Sequence, residues 1–280
     1  PTPLMPTPSP TSMGTVPTAT PSPGSKSDWT YFAAADALAE TRNLQAVAIA
    51  PDAADGTLWL GTDRGVRHFD GQRWETHTAL GPGISVDVLS LAAGPAGGLW
   101  AGTREGVTRF DGRTWTPYHR RDYCDHAYCP KLKWVFAIAV APDGALWLSD
   151  GLKLHRFDGA TWTTHKPYPF DLEDGQDIES LAEALIEALA ITPGGDLWFG
   201  TADGAYHLAG QPLALTGEFT GWRYADDGSS HLLNQVPTHY TTADGLPSDH
   251  VQAIAVASDG AVWCGTERGA ARFDGQNWQT

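Results

Sequence analysis

One strand-like motif recurs five times, always followed at the same distance by a second landmark, and few folds tolerate such regularity. The copies are Leu58-Trp59-Leu60-Gly61-Thr62, Leu99-Trp100-Ala101-Gly102-Thr103, Leu146-Trp147-Leu148, Leu197-Trp198-Phe199-Gly200-Thr201 and Val262-Trp263-Cys264-Gly265-Thr266. Ten positions after each Trp stands Phe69, Phe110, Phe157, Leu208 or Phe273, and four of these open a Phe-Asp-Gly turn. Asp-Gly between apolar runs signals a hairpin, because Gly takes the positive φ that the turn requires. Another Trp follows the turn at 74, 115, 162 and 278 and starts a further strand.

Upstream of each Leu-Trp strand lies a run of small apolar residues, such as Phe136-Ala137-Ile138-Ala139 or Ala253-Ile254-Ala255-Val256. Turn residues such as Pro142-Asp143-Gly144 and Ser258-Asp259-Gly260 separate run from strand. Each repeat therefore reads as four short antiparallel strands, a to d, with Ala-rich strand a suited to the crowded centre of a radial array. The five Trp lie 41, 47, 51 and 65 residues apart, a period expected of the blades of an all-β propeller. The five Trp themselves are expected to form the core between blades. Repeats are assigned to about 44–85, 86–133, 134–187, 188–250 and 251–280.

Ring closure is open to two readings. Residues 29–32 (Trp29-Thr30-Tyr31-Phe32) match a d strand that would complete the last blade and cover its edge, yet Trp278 opens another d strand at the far end. The repeats form either a closed five-blade ring or part of a longer array. Residues 1–28 hold eight Pro, six Thr and five Ser, a composition that does not build a core and reads as a disordered linker. Such stalks follow signal peptides, lipid anchors or membrane helices, which points to an extracytoplasmic bacterial location, periplasmic or cell-surface, with anchorage through this segment.

Eighteen Lys and Arg against 33 Asp and Glu leave a net charge of −15, the wrong sign for nucleic acid or an anionic membrane surface. No apolar run is long enough to span a bilayer as a helix.

The pattern V-x-A-I-A, P-D-G-x-L-W-x-G-T, G-V-x-R-F-D-G-x-x-W and Y-T-x-x-D-G-L-P-S closely resembles the two-component regulator propeller repeat. Phe136 to Trp162 and Tyr240 to Arg272 carry it most fully. The resemblance implies an extracytoplasmic sensor propeller that binds a ligand. It departs at Ser149-Asp150, in place of Gly-Thr, and at Leu208-Ala209-Gly210, in place of Phe-Asp-Gly. Nothing resembles a kinase, a phosphoacceptor His or a receiver, so a sensor of this kind would signal through a separate protein.

The d-to-a connections alone vary in length, with inserts at 116–133, 163–187 and 211–250. In a propeller these connections share a face with the b–c turns, and loops on a rigid scaffold are where binding resides. The candidate ligand residues on that face are Arg64, Arg104, Glu105, Tyr118, His119, Asp150, Asp203, Trp222, Tyr224, Glu267 and Arg268. Their aromatic members suit stacking on a sugar ring or gripping a peptide. The expected partner is thus a small molecule, glycan or peptide; no cofactor and no metal are expected.

Cys124 and Cys129 bracket a short loop and are candidates for a disulfide in an oxidising compartment. His119, Asp122 and His126 match no strong zinc signature, and the acidic run Asp171 to Glu179 has its Gly misplaced for a calcium loop. Cys264 reads as a buried free thiol. Ser180 with Leu181, Leu185 and Leu189 at helical spacing suggests a short capped helix. The main reading is a non-catalytic binding module. The alternatives are a protein-interaction propeller and an enzyme like the streptogramin lyases, which resemble Asp196-Leu197-Trp198-Phe199 but continue with Thr-Glu where this chain has Gly-Thr; no paired acid and base stand out among the ten His.

Overall fold

A computed structural model describes residues 41–49, 57–94, 98–118, 134–165, 185–210 and 237–280. The described residues form twenty strands and no helix. Blade 1 is β1 (Leu44–Ile49), β2 (Leu58–Thr62), β3 (Gly65–Phe69) and β4 (Trp74–His77). Blade 2 is β5 (Val88–Ala93), β6 (Leu99–Thr103), β7 (Gly106–Phe110) and β8 (Trp115–Tyr118). Blade 3 is β9 (Ala137–Val140), β10 (Leu146–Ser149), β11 (Leu154–Phe157) and β12 (Trp162–His165). Blade 4 is β13 (Ala188–Ile191), β14 (Leu197–Thr201), β15 (Gly204–Leu208) and β16 (Thr238–Tyr240). Blade 5 is β17 (Val251–Val256), β18 (Val262–Thr266), β19 (Gly269–Phe273) and β20 (Trp278–Gln279). Each blade is one four-stranded antiparallel sheet in chain order, and the five are arranged around a ring as a β-propeller.

The fixed interval in the sequence is a fixed register. Leu58 pairs with Phe69, Leu99 with Phe110, Leu146 with Phe157, Leu197 with Leu208 and Val262 with Phe273. Strands β1, β5, β9, β13 and β17 lie innermost and meet in succession. Ala137, Ala139, Ala188 and Ala190 are buried there, the positions where larger side chains would hold the blades apart.

Neighbouring blades are joined by two devices. The first is the strand-b Trp, which packs outward onto the next blade: Trp59 meets Phe110 at 5.6 Å, and Trp198 meets Phe273 at 5.4 Å and Trp278 at 6.1 Å. The second is the small residue two positions later. A Cβ on Gly61 would come within 2.7 Å of Val88, on Gly102 within 2.6 Å of Val135, and on Gly200 within 2.7 Å of Val251. Contacts that close do not occur between real side chains, so each of these glycines is required by the approach of the next blade. In blade 3 Ser149 fills the position and donates to the Ile186 carbonyl at 3.1 Å.

Blade 5 departs from this rule. Trp263 is 43% exposed, unlike Trp59, Trp100, Trp147 and Trp198, which are buried. Among the described residues, a Cβ on Gly265 would meet only Ala253 of its own blade within 4 Å, and Leu44, Val47 and Ile49 of β1 are exposed. Among the described residues, the outward faces of blades 1 and 5 thus lack a junction comparable to the other four.

Three further expectations are revised or fall elsewhere. Leu189 sits in β13, paired with Phe199, because the alternation of Ala188 and Ala190 toward the crowded centre outweighs the helical spacing. Trp278 completes blade 5 as β20; the proposed closing strand at 29–32 lies outside the described residues. So do Cys124 and Cys129. Cys264 is a buried free thiol, and burial pushes it up to about 12.

Candidate functional site

Every b–c turn but one is built alike. Thr62, Thr103, Thr201 and Thr266 donate their hydroxyls to the carbonyls of Gly65, Gly106, Gly204 and Gly269, at 2.8, 3.0, 3.3 and 2.8 Å. Each of these glycines has a positive φ between 114° and 143°, open to Gly without strain. Blade 3 instead uses Asp150, which accepts from the Leu152 and Lys153 amides at 3.2 and 2.9 Å. This shared chassis presents two variable positions per blade on one face: the tip of the b–c turn, and the one to three residues that lead into strand a.

The variable positions carry unlike chemistry. In blade 2 Asp87 precedes β5, pairs with the Arg104 guanidinium and accepts from Gln45 of β1 at 3.1 Å. Arg104 also lies over the ring of Trp134, 4.2 Å from its centroid. Trp134 precedes blade 3, and its amide donates to the Arg104 carbonyl at 3.1 Å, which ties it to the neighbouring blade. Its φ is +56°; among the described residues no other non-glycine residue has a positive φ. That conformation costs an L-residue roughly 1–2 kcal/mol, yet the side chain is 44% exposed. The aromatic ring is held outward at such a cost, with a guanidinium against it and Phe136 stacked at 6.0 Å, and an exposed ring face of this kind can stack on another planar or apolar group.

Other blades build different clusters. The buried His155 ring bridges Asp150 and Thr164, each at 3.0 Å. Burial would raise Asp150, but His155 and the turn amides outweigh it and hold the carboxyl below its ordinary range. Tyr206 donates to Asp203 at 3.2 Å and is pushed up by burial and that carboxylate; His239 meets the Asp203 carbonyl at 2.8 Å. His250, preceding β17, bridges Glu267 at 2.9 Å and Glu187 of blade 4 at 3.1 Å. The hydrogen bond to Glu267 raises His250, and Glu187 adds to it against a smaller loss from burial.

Of the residues expected on this face, Arg64, Arg104, Glu105, Asp150, Asp203, Glu267 and Arg268 lie in the b–c turns. Only Arg104, Asp150, Asp203 and Glu267 enter the clusters just described. Tyr118 ends strand β8, and its ring turns into the junction between blades 2 and 3, 4.9 Å from Trp100 and 5.4 Å from Phe157. With Arg109 these rings line a cleft of about 270 Å³. The d strand runs three residues past Trp115 before the connection begins, which is why Tyr118 is a packing residue rather than a loop residue. His119, Trp222 and Tyr224 lie outside the described residues. Sequence reasoning missed Asp87, Trp134, Glu187 and His250. The available signal for Trp134 was its position, since it occupies neither the strand-b nor the strand-d place that the repeated Trp fill.

Residues 245–268 match the two component regulator propeller family. No curated protein matches the chain. Two structures of the extracellular domain of one B. thetaiotaomicron protein, named for a one component system and for a hybrid two component system, superpose with TM-score 0.53 at 15% and 16% identity. They cover 82% of this chain, which spans 27% of theirs. Streptogramin B lyase superposes with TM-score 0.50 at 13% identity over 85% of this chain and 82% of the lyase. At these identities the likeness is one of fold.

Proposed function

We propose that this propeller is a non-catalytic binding module that senses a sugar- or peptide-type ligand outside the cytoplasm, with the Trp134–Arg104–Asp87 platform as its grip. The observation that carries this reading is Trp134: an exposed aromatic in a costly backbone conformation, tied by its amide hydrogen bond to Arg104 of the preceding blade. Aromatic faces stack on sugar rings and peptide side chains. The Arg104 charge is neutralised by Asp87, which favours a neutral or weakly anionic ligand over a phosphate. The two-component repeat over 245–268, and the extracellular domains that share the fold, support a sensor that passes its signal to another protein. The Pro/Thr/Ser-rich residues 1–28 act as the spacer to an anchor.

Screening the purified chain on neutral-oligosaccharide and peptide arrays tests this. One ligand class should bind, and Trp134→Ala should weaken it at least tenfold, about 1.4 kcal/mol, without lowering the melting temperature. Unchanged binding by Trp134→Ala would remove the platform, and turnover of the bound compound would overturn the non-catalytic reading.

A further inference from the structure

On the blade 1 face that meets blade 2, strands β3 and β4 put His68 directly opposite Glu75, and His77 two residues further along the same face. One nitrogen of each ring and a Glu75 carboxylate oxygen all lie within 4.8 Å of one another. His68 Nδ1 is 3.9 Å from Glu75 Oε2, and His77 Nε2 is 3.9 Å from Glu75 Oε1. Both distances are too long for a hydrogen bond. His77 Nε2 is buried and has no hydrogen-bond partner among the described residues. A buried imidazole nitrogen facing a carboxylate across a gap of this width lacks what such groups normally have.

A zinc-type ion would supply it. Two ligands held 2.0–2.2 Å from one tetrahedral ion stand about 3.4 Å apart, so the two imidazole nitrogens, within 4.8 Å of each other, need to approach by up to about 1.4 Å, and each His–Glu gap needs to close by roughly half an ångström. Glu75, 68% exposed along its side chain, is free to close those gaps. His68 is held in place by stacking on Trp59, 3.9 Å between centroids and 12° between planes, and His77 packs against Phe110 at 5.0 Å.

The other blades show that this set is not part of the scaffold. The positions of His68, Glu75 and His77 are held by Arg109, Thr116 and Tyr118 in blade 2, Arg156, Thr163 and His165 in blade 3, and His207, Thr238 and Tyr240 in blade 4. The template tolerates an Arg that pins the a–b turn, as Arg156 does to Asp143 at 2.9 Å and Arg272 to Asp259 at 2.8 Å. Blade 1 replaces that arrangement with two imidazoles and a carboxylate on one face.

We infer that His68, Glu75 and His77 form a binding site for a zinc-type divalent cation, with the fourth coordination position open to water on the side of exposed Glu75. This site is independent of the Trp134 platform. Cobalt(II) serves as the spectroscopic probe on the chelator-treated full chain, followed by zinc competition. One equivalent should bind with the visible bands of a four-coordinate nitrogen/oxygen site and without a thiolate charge-transfer band, which separates it from any site involving cysteine. Zinc should displace it, while calcium and magnesium should not. Glu75→Gln, at an exposed position, should weaken that binding at least tenfold with the fold intact, and His77→Gln should abolish it. Absence of the four-coordinate spectrum at micromolar cobalt, a thiolate band, or the same affinity in both variants would overturn the assignment.

Discussion

The two ends of the blades obey different rules. At the a–b and c–d end the same carboxylate does the same work in blade after blade. Asp70, Asp111, Asp158 and Asp274 each accept from the backbone amides two and three residues on, at 2.6–2.9 Å. At the b–c end the chassis repeats, but what stands on it does not: an Arg–Trp platform between blades 2 and 3, a His–Asp–Thr chain in blade 3, a Glu–His–Glu bridge between blades 4 and 5. Uniform chemistry marks the part of the molecule that maintains the turns. Chemistry that occurs once marks the part to which the proposed function assigns recognition, in line with a common fold acquiring separate functions through its sites.

The sharpest way to break this comparison is to make one substitution at both ends. Gly200→Ala would drive a Cβ into Val251 and its carbonyl, each 2.7 Å away, displacing the residue next to His250, and should cost about 1–3 kcal/mol in denaturant unfolding. Gly112→Ala at the opposite end meets nothing within 4 Å and should cost only the strain of its +94° φ, about 1 kcal/mol. Equal losses would mean that blade junctions do not control the b–c face.

A second pair crosses binding with stability. Asp158→Ala removes two amide contacts and the 2.8 Å bond from Thr161, so it should lower stability by about 1 kcal/mol and leave binding unchanged. Trp134→Ala should do the reverse. Trp134→Gly, relieved of the left-handed strain, should be more stable than Trp134→Ala by about 1 kcal/mol. A Gly variant no more stable than the Ala variant would remove the argument from strain.

The smallest effects separate the ends by the sign of their pH dependence. The turn amides hold Asp70, Asp111 and Asp274 below the ordinary aspartate value of 3.8. Their contribution is present above that value and is lost as pH falls through the depressed folded values. His250 runs the other way. Its raised folded value means that the Glu267–His250–Glu187 bridge contributes fully below 6.5 and is lost as pH rises through the folded value. Melting curves of Asp111→Asn should flatten only on the acid side, and those of His250→Gln only above pH 6.5. A variant flattening on the wrong side would contradict the pairing assigned to it.

Legibility in the sequence followed the same division. Blade register was readable because the interval from Leu to Phe admits no insertion, and the turn aspartates were readable because they recur. On the other face Arg104 and Glu267 were reachable as charged turn tips. Their partners Asp87, Trp134 and His250 precede strand a, in connections of differing length where no template marks a position. Trp263 shows the opposite failure: its motif is perfect, but burial depends on the next blade, which no local pattern encodes. His68, Glu75 and His77 escaped notice because they are distant from any metal-ligand spacing and meet only through the β3–β4 register.

Indole ¹⁵N–¹H NMR of the chain, titrated with the compounds that bind on the oligosaccharide and peptide arrays, tests the central claim most directly. The Trp134 signal should shift on binding while those of Trp59, Trp100, Trp147 and Trp198, buried between blades, stay fixed. A shift confined to Trp115 or Trp162, beside the c–d turns, with Trp134 unmoved, would place recognition at the other end of the blades and contradict the account.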